Sequence, residues 1–152
     1  MSRYPLKKKH IIKPDPFYDS VLIQKITNQL MKKGNKALAQ KILNQTLKQI
    51  EKKTQQDPVH VIEQAISNIV PAVEIKARRI GGAVYSIPIE LNSDRAISIA
   101  IRWLIGCCNT RSSQPFSTKL TNEIIDASKK IGTAVRKRDE VHKMAESNAR
   151  LM

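Results

Sequence analysis

The spacing of apolar residues changes once along this sequence, and that change constrains the fold more than any other feature. On both sides of residues 73–91, apolar side chains recur every three or four positions, as they do along one face of an α-helix. Within residues 73–91 they alternate instead, and Gly81-Gly82 divides this segment into two halves. A two-residue Gly-Gly turn between alternating runs is typical of a β-hairpin. We therefore predict a mainly α protein, a single domain of about six helices with a protruding β-hairpin inserted between the third and fourth helices.

Cap and breaker residues predict where the helices begin and end. We predict a basic N-terminal arm over residues 1–13, one helical domain over residues 14–152, and a polar loop over residues 109–117. The predicted helix signals are, in chain order, an N-cap at Asp15 and a C-cap at Gly34, a helix over residues 36–53, an N-cap at Asp57 and an end at Pro71, an N-cap at Ser93, a fifth helix ended by Gly132, and a last helix from Thr133. We expect Tyr85 to pack on the apolar face of the hairpin and Trp103 to be at least half-buried.

The charge of the chain indicates a polyanionic partner. Lys and Arg number 27 against 13 Asp and Glu, which gives a formal net charge of +14. Nucleic acid is the first candidate, because each neutralised phosphate releases condensed counterions. An anionic membrane surface is the second candidate. The most apolar run, residues 96–108, is interrupted by Arg102 and is shorter than the ~20 residues that a membrane span needs, so we expect no membrane segment.

The basic residues fall into four groups, and each group alone is explained by a solvated surface. Together they favour a surface that follows phosphates. Aromatic residues make up 4% of the chain, fewer than a protein that stacks single-stranded bases normally carries, so folded nucleic acid is the expected target. The groups are Arg3, Lys7, Lys8, Lys9 and Lys13 in the arm; Lys32, Lys33 and Lys36; Lys76, Arg78 and Arg79 on the hairpin; and Arg136, Lys137 and Arg138.

No catalytic pattern occurs in the sequence. The three histidines are scattered, and no phosphate-binding loop, zinc-protease motif or nucleophile elbow is present. Cys107 and Cys108 are adjacent without metal-ligand spacing, which indicates free thiols and a reducing compartment. We predict that the protein is not an enzyme and that it needs no metal or other cofactor.

Five blocks of sequence, in order, carry a resemblance to a known family. They cover the chain from about residue 14 to residue 148. The blocks are Pro14-Asp15-Pro16 with Tyr18 and Ser20; Leu30-Met31 with Gly34, Lys36 and Ala39; Arg78-Arg79-Ile80-Gly81-Gly82 with Tyr85, Pro88 and Glu90; Ala100-Ile101-Arg102-Trp103; and Lys137-Arg138 with Glu140, His142, Met144-Ala145-Glu146 and Asn148. Together they resemble the small-ribosomal-subunit protein seven family, of the bacterial and organellar type.

The resemblance implies a structural protein of the small ribosomal subunit. Such a protein binds the 3′ major domain of small-subunit rRNA, organises assembly of the subunit head, and lies near the exit-site tRNA and the mRNA exit. Its other partners are neighbouring small-subunit proteins of the head and platform. Carried over by position, the residues implied to lie near tRNA and mRNA are Lys76, Arg78, Arg79, Gly81, Gly82 and Tyr85. Those implied to face rRNA are the arm, Lys32, Lys33, Lys36, Arg95, Arg102, Arg111, Arg136 to Arg138, and His142.

The sequence also departs from the family pattern. Asn35 occupies a position where the family usually has Lys, which removes one phosphate contact. Residues 107–115 keep only Arg111 of a loop that is usually richer in basic residues. No aromatic-rich tail follows Asn148, so we expect a reduced contact with the platform neighbour. The first motif begins thirteen residues after Met1 without a transit peptide, so an organellar ribosome would imply a gene in the organelle itself. Ile, Lys, Asn and Gln are abundant, which suits the AT-rich genome of a plastid or mitochondrion and of many bacteria. We therefore expect an organellar ribosome, a plastid rather than a mitochondrion, with a bacterial cytoplasm as the alternative.

Two other functions remain open at this stage. An architectural DNA-binding protein also combines helices with a basic β-ribbon, although its ribbon usually ends in an apolar wedge, and Gly81-Gly82 with Ile80 beside it matches such a wedge only weakly. An RNA-modifying enzyme would have to use His142 or Glu140, neither of which belongs to a recognisable catalytic pattern.

Overall fold

The computed structural model describes residues 12–80, 82–111 and 114–149, which form six α-helices and one β-hairpin. The elements, in order, are α1 Val21–Leu30, α2 Lys36–Thr54, α3 Pro58–Ile69, β1 Val73–Ile80, β2 Ala83–Glu90, α4 Ser93–Thr110, α5 Phe116–Ser128 and α6 Thr133–Ala149. This order confirms the predicted fold class and the place of the hairpin. The arm residues Arg3, Lys7, Lys8 and Lys9, and Gly81 in the turn, lie outside the described residues.

The predicted start of the first helix is wrong. Helix α1 begins at Val21. Ser20 is its N-cap, and the Ser20 hydroxyl accepts a hydrogen bond from the Ile23 amide. The Asp15-Pro16 signal belongs to a separate turn, in which the buried Asp15 carboxylate accepts from the Phe17 amide. Asp19 has a φ of 47°, in the left-handed region, and this prevents the turn from continuing into the helix. The turn therefore uses a cap signal that the sequence alone assigns to the helix.

Two predicted helix ends are wrong by three or four residues, since α1 ends at Leu30 before Gly34 and α5 ends at Ser128 before Gly132.

Other boundaries agree with prediction or shift slightly. Helix α2 begins at Lys36 as predicted, and the Asn35 side chain caps it by accepting from the Leu38 amide at 3.2 Å. Helix α3 begins after Asp57, whose carboxylate accepts from Val59, as the sequence predicts. The N-cap of α4 is Asn92 rather than Ser93, and α4 runs to Thr110 while α5 starts at Phe116, so the predicted polar loop is shorter than expected.

The core lies where α2, α3, α4 and α5 face one another. Its largest side chains are fully buried and come from all four helices, for example Leu47, Ile62, Leu104 and Ile124. Helix α1 adds Ile26, and α6 closes the core with Ala134 and Val135. Among the described helices, none is both long and apolar enough to cross a membrane.

The hairpin is antiparallel, with Val73 opposite Glu90 and Ile80 opposite Ala83, so the predicted two-residue turn is confirmed. Opposed residues share a face, and the register pairs Ile75 with Pro88 and Lys76 with Ile87. The alternating apolar residues of β1 therefore lie on one face of the hairpin, and those of β2 lie on the other. Each face consequently mixes apolar and polar residues.

The base of the hairpin packs against α6, whereas its outer half extends from the domain. Residues 73–75 and 87–89 are half-buried, and residues 76–79 and 84–86 are exposed. Tyr85 is 52% exposed, so the expectation that it packs is wrong, because its strand has left the domain at that point. Trp103 is partly buried against the core, as predicted.

A buried carboxylate fixes the start of α6. Glu123, on α5, has no solvent exposure, and its Oε1 accepts hydrogen bonds from the Thr133 hydroxyl at 2.8 Å and the Ala134 amide at 2.9 Å. Its Oε2 lies 2.5 Å from the Arg111 guanidinium. Gly132 leads into the helix with a φ of +116°, and a Cβ there would come within 3.2 Å of the Glu123 carboxylate. Glycine at this position therefore allows the carboxylate to reach the helix end.

Candidate nucleic-acid interface

The outer half of the hairpin carries exposed cations on both faces. Arg78 lies opposite Tyr85 and shares a face with Lys76, whereas Arg79 lies opposite Val84 on the other face. All five side chains are exposed. A two-stranded ribbon of this kind can enter a groove and meet phosphates on both sides.

At the hairpin base, an ion pair connects β1 to α4. The Arg95 guanidinium donates to both oxygens of Glu74, each at 2.7 Å. These hydrogen bonds hold the pKa of Glu74 below its usual range, and the charges of Arg95, Lys76 and Arg102 act in the same direction. The pair therefore offsets the charge of Glu74 and links β1 to α4 at the base of the hairpin.

Beside this ion pair, α4 and α6 bring further cations together. Arg102 on α4 is exposed and has no ion-pair partner among the described residues. The Lys137 ammonium of α6 lies 6.0 Å from the centre of the Trp103 ring, within cation–π range. We call Glu74, Arg95, Arg102, Trp103 and Lys137 the hairpin-root surface.

Two predicted rRNA contacts on α6 are engaged within the protein. The Arg138 guanidinium bonds to the Asn68 carbonyl and to the Asp139 carboxylate, 2.6 Å away. His142 Nε2 accepts from the Ala72 amide at 3.2 Å, which ties α6 to the start of the hairpin. Arg136 stays exposed. The structure thus gives Arg138 and His142 a positioning role, while the prediction that they contact RNA stays a prediction.

A second group of cations surrounds the connection between α1 and α2. Lys32, Lys33 and Lys36 are exposed there, and Lys33 has a φ of 52° in the turn before Gly34. Lys13, the part of the arm that is described, lines the same cleft as Lys36. Helix α1 in turn contacts α4 through Lys25 and Asp94, whose charged atoms are 3.4 Å apart. We call Lys13, Lys32, Lys33 and Lys36 the α1–α2 lysine group.

Arg111 lies apart from both groups. Its guanidinium contacts Asp126 at 3.1 Å as well as Glu123. The neighbouring Cys108 is buried, and burial raises the pKa of its thiol to about 12, with the charge of Glu123 adding to the shift. Cys107 and Cys108 are both free, as predicted. In the isolated protein Arg111 therefore stabilises the α4–α5 junction, and its contact with RNA stays a prediction.

Sequence reasoning missed two acidic residues that organise this interface. Glu123 falls on the apolar face of α5, between Leu120 and Ile124, and a charged residue at an inward position is the signal that could have revealed it. Glu74 gives no such signal, because an acidic residue at a polar position of an alternating strand is ordinary. Its partner Arg95 is brought near only by the packing of the hairpin base.

The arrangement is that of a binding surface. Across residues 12–80, 82–111 and 114–149, no group of three or more His, Cys, Asp or Glu side chains could hold a metal ion. The hairpin and the hairpin-root surface instead present six cations against two carboxylates, of which Glu74 is paired with Arg95 and Glu90 lies at the end of β2. Such a surface can neutralise phosphates and orient a folded polyanion.

Comparison with known proteins gives a consistent result over nearly the whole chain. The family model described as ribosomal protein S7p/S5e matches residues 1–149. The chain is 51% identical to small ribosomal subunit protein uS7c of Tupiella akineta and 49% identical to that of Chlorella vulgaris, in each case over 97% of this chain and 95% of the relative. It is 44% identical to small ribosomal subunit protein uS7 of Pelagibacter ubique, with the same coverage.

Proposed function

This chain belongs to the ribosomal protein S7p/S5e family, and we propose that it binds the 3′ major domain of small-subunit rRNA and organises assembly of the subunit head. Family membership makes it a structural constituent of the small ribosomal subunit and not an enzyme, with ribosomal RNA and ribosomal proteins as its partners. The observation that supports the finer proposal is the clustering of exposed cations on the hairpin and the hairpin-root surface. Phosphate contacts there would hold RNA helices in one arrangement without bond chemistry.

The hairpin is also proposed to reach the exit-site tRNA and the mRNA exit. Its outer half extends beyond the domain, and Arg78 and Arg79 point to opposite faces. Either guanidinium can bond a phosphate through two nitrogens. The ribosome is proposed to be that of a plastid, since chloroplast uS7c proteins are among the relatives, although a bacterial uS7 matches over the same length.

A competition assay tests the RNA target. The purified chain should retain a transcript of the 3′ major domain, at near-physiological salt, against an excess of unrelated structured RNA or duplex DNA. The concentration of unrelated RNA or of DNA needed to displace the labelled transcript should be at least 10-fold higher than that of the unlabelled transcript. The reason is that the affinity for a specific site typically exceeds the non-specific affinity by ~10³ or more. Equal displacement by duplex DNA would favour the architectural DNA-binding alternative.

A double substitution tests the position of the hairpin. A protein carrying Arg78→Ala and Arg79→Ala should fold normally, because both side chains are exposed and outside the core, and its ribosomes should hold exit-site tRNA less well. The measurement is occupancy of the exit site by labelled tRNA, together with the frequency of frame errors. Lys48→Ala with Lys52→Ala, on the exposed side of α2, is the matched control. Unchanged tRNA occupancy in the hairpin variant would contradict the proposed position.

A further inference from the structure

A cleft at the hairpin root has features of a binding site for a single unpaired base. Its volume is about 430 Å³, and it opens between β1, α4 and α6. Apolar side chains form its inner wall, and two arginines stand at its edge. These lining residues include Ile75, Ile99, Trp103, Met144, Arg95 and Arg102.

Three observations distinguish this cleft from an ordinary surface groove. Met144 remains 49% exposed and lines the cleft, so an apolar side chain is left uncovered there. The Trp103 ring is only partly buried, and the Lys137 ammonium lies near it. The only carboxylate in the wall, Glu74, is already bound to Arg95, so it does not repel an anion.

We propose that this cleft receives one unstacked nucleobase of the bound RNA, with the flanking phosphates on Arg102 and Lys137. The apolar wall suits the face of a base, and the cations at its rim suit the adjoining backbone. Unpaired bases splayed from a loop or bulge are commonly held by aromatic side chains or by the plane of an arginine. The proposal rests on the RNA binding proposed above, and it adds that part of the recognition uses a base and not only phosphates.

The test compares three RNA ligands that differ at one nucleotide. They are a short RNA duplex, the same duplex with one bulged adenosine, and the same duplex with an abasic residue at the bulge. The bulged adenosine should bind about fivefold or more tightly than the abasic bulge, since stacking of one base contributes about 1–3 kcal/mol. The abasic bulge controls for bending and for backbone contacts.

Trp103 provides a direct readout, because it is the only tryptophan in the sequence. Its fluorescence should be quenched by the adenosine bulge and much less by the abasic bulge at equal saturation. Met144→Ala should reduce the preference for the adenosine bulge while leaving duplex affinity unchanged. Leu38→Ala is the matched control, since Leu38 on α2 is 52% exposed and lies outside the cleft.

The possible outcomes separate this inference from the proposed function. Equal affinity for the adenosine and abasic bulges, with unchanged Trp103 fluorescence in both, would overturn the base-binding cleft while leaving RNA binding intact. Failure of the wild-type protein to bind the 3′ major domain transcript would overturn the proposed function itself, whereas binding of that transcript but of none of the three short RNAs would overturn only the base-binding cleft. Because Met144 is half exposed, Met144→Ala tests the cleft without disturbing the core, which Trp103→Leu could do.

Discussion

Replacing Glu123 by alanine should lower the free energy of unfolding by about 3 kcal/mol, because it removes a fully buried carboxylate that accepts two hydrogen bonds and pairs with the partly exposed Arg111. The melting temperature should fall by roughly 10 °C. The loss has two sources. The Ala134 amide and the Thr133 hydroxyl lose their acceptor at the first turn of α6, and Arg111 keeps only Asp126 as a partner. The measurement is urea unfolding followed by circular dichroism.

Two companion variants identify the cause. Glu123→Gln keeps an oxygen that can accept from Thr133 and Ala134 but loses the charge facing Arg111, so its loss of stability should be smaller than that of the alanine variant. Glu140→Ala, at an exposed position on α6, should change stability by no more than ~0.5 kcal/mol. If Glu123→Ala unfolds at the same urea concentration as Glu140→Ala, the buried carboxylate does not hold α6.

The elements that sequence predicts best are those fixed by local chemistry. The hairpin follows from Gly81-Gly82 and the change of apolar spacing, and Asp57 before Pro58 correctly marks α3. The Asp15 signal is equally local, yet it caps a separate turn because the backbone at Asp19 turns left-handed before α1 begins. A cap signal shows that a chain turn starts there, and tertiary packing decides whether a helix follows.

The sequence predicts which basic residues belong to the candidate interface, but it does not predict how they are arranged. The sequence identifies Arg95, Arg102 and Lys137 as basic residues, and it gives no indication that Glu74 neutralises Arg95 or that Lys137 lies over Trp103. These contacts join residues far apart in the chain, so only the packing of β1, α4 and α6 creates them. Asn35 shows the same limit, since the sequence predicts only a lost phosphate contact there, whereas its side chain caps α2.

Removing the three cations of the hairpin should weaken RNA binding about 100-fold at near-physiological salt. Each phosphate contact on a duplex contributes a slope of about 0.9 to the dependence of log affinity on log salt, so three contacts correspond to a slope change of about 2.7. The variant carries Lys76→Gln, Arg78→Gln and Arg79→Gln, which keep long polar side chains on an exposed ribbon. The measurement is the affinity for the 3′ major domain transcript over a series of salt concentrations.

The matched control removes the same charge from another surface. Lys41→Gln, Lys48→Gln and Lys52→Gln lie on exposed positions of α2, away from the hairpin. This control lowers the net charge equally, so any long-range attraction falls by a similar amount, but it should leave the salt slope nearly unchanged. Equal slopes for both triple variants would mean that the hairpin acts through net charge alone. A smaller slope for the hairpin variant alone would mean that its cations contact phosphates directly, and the hairpin would then be a defined part of the RNA-binding surface.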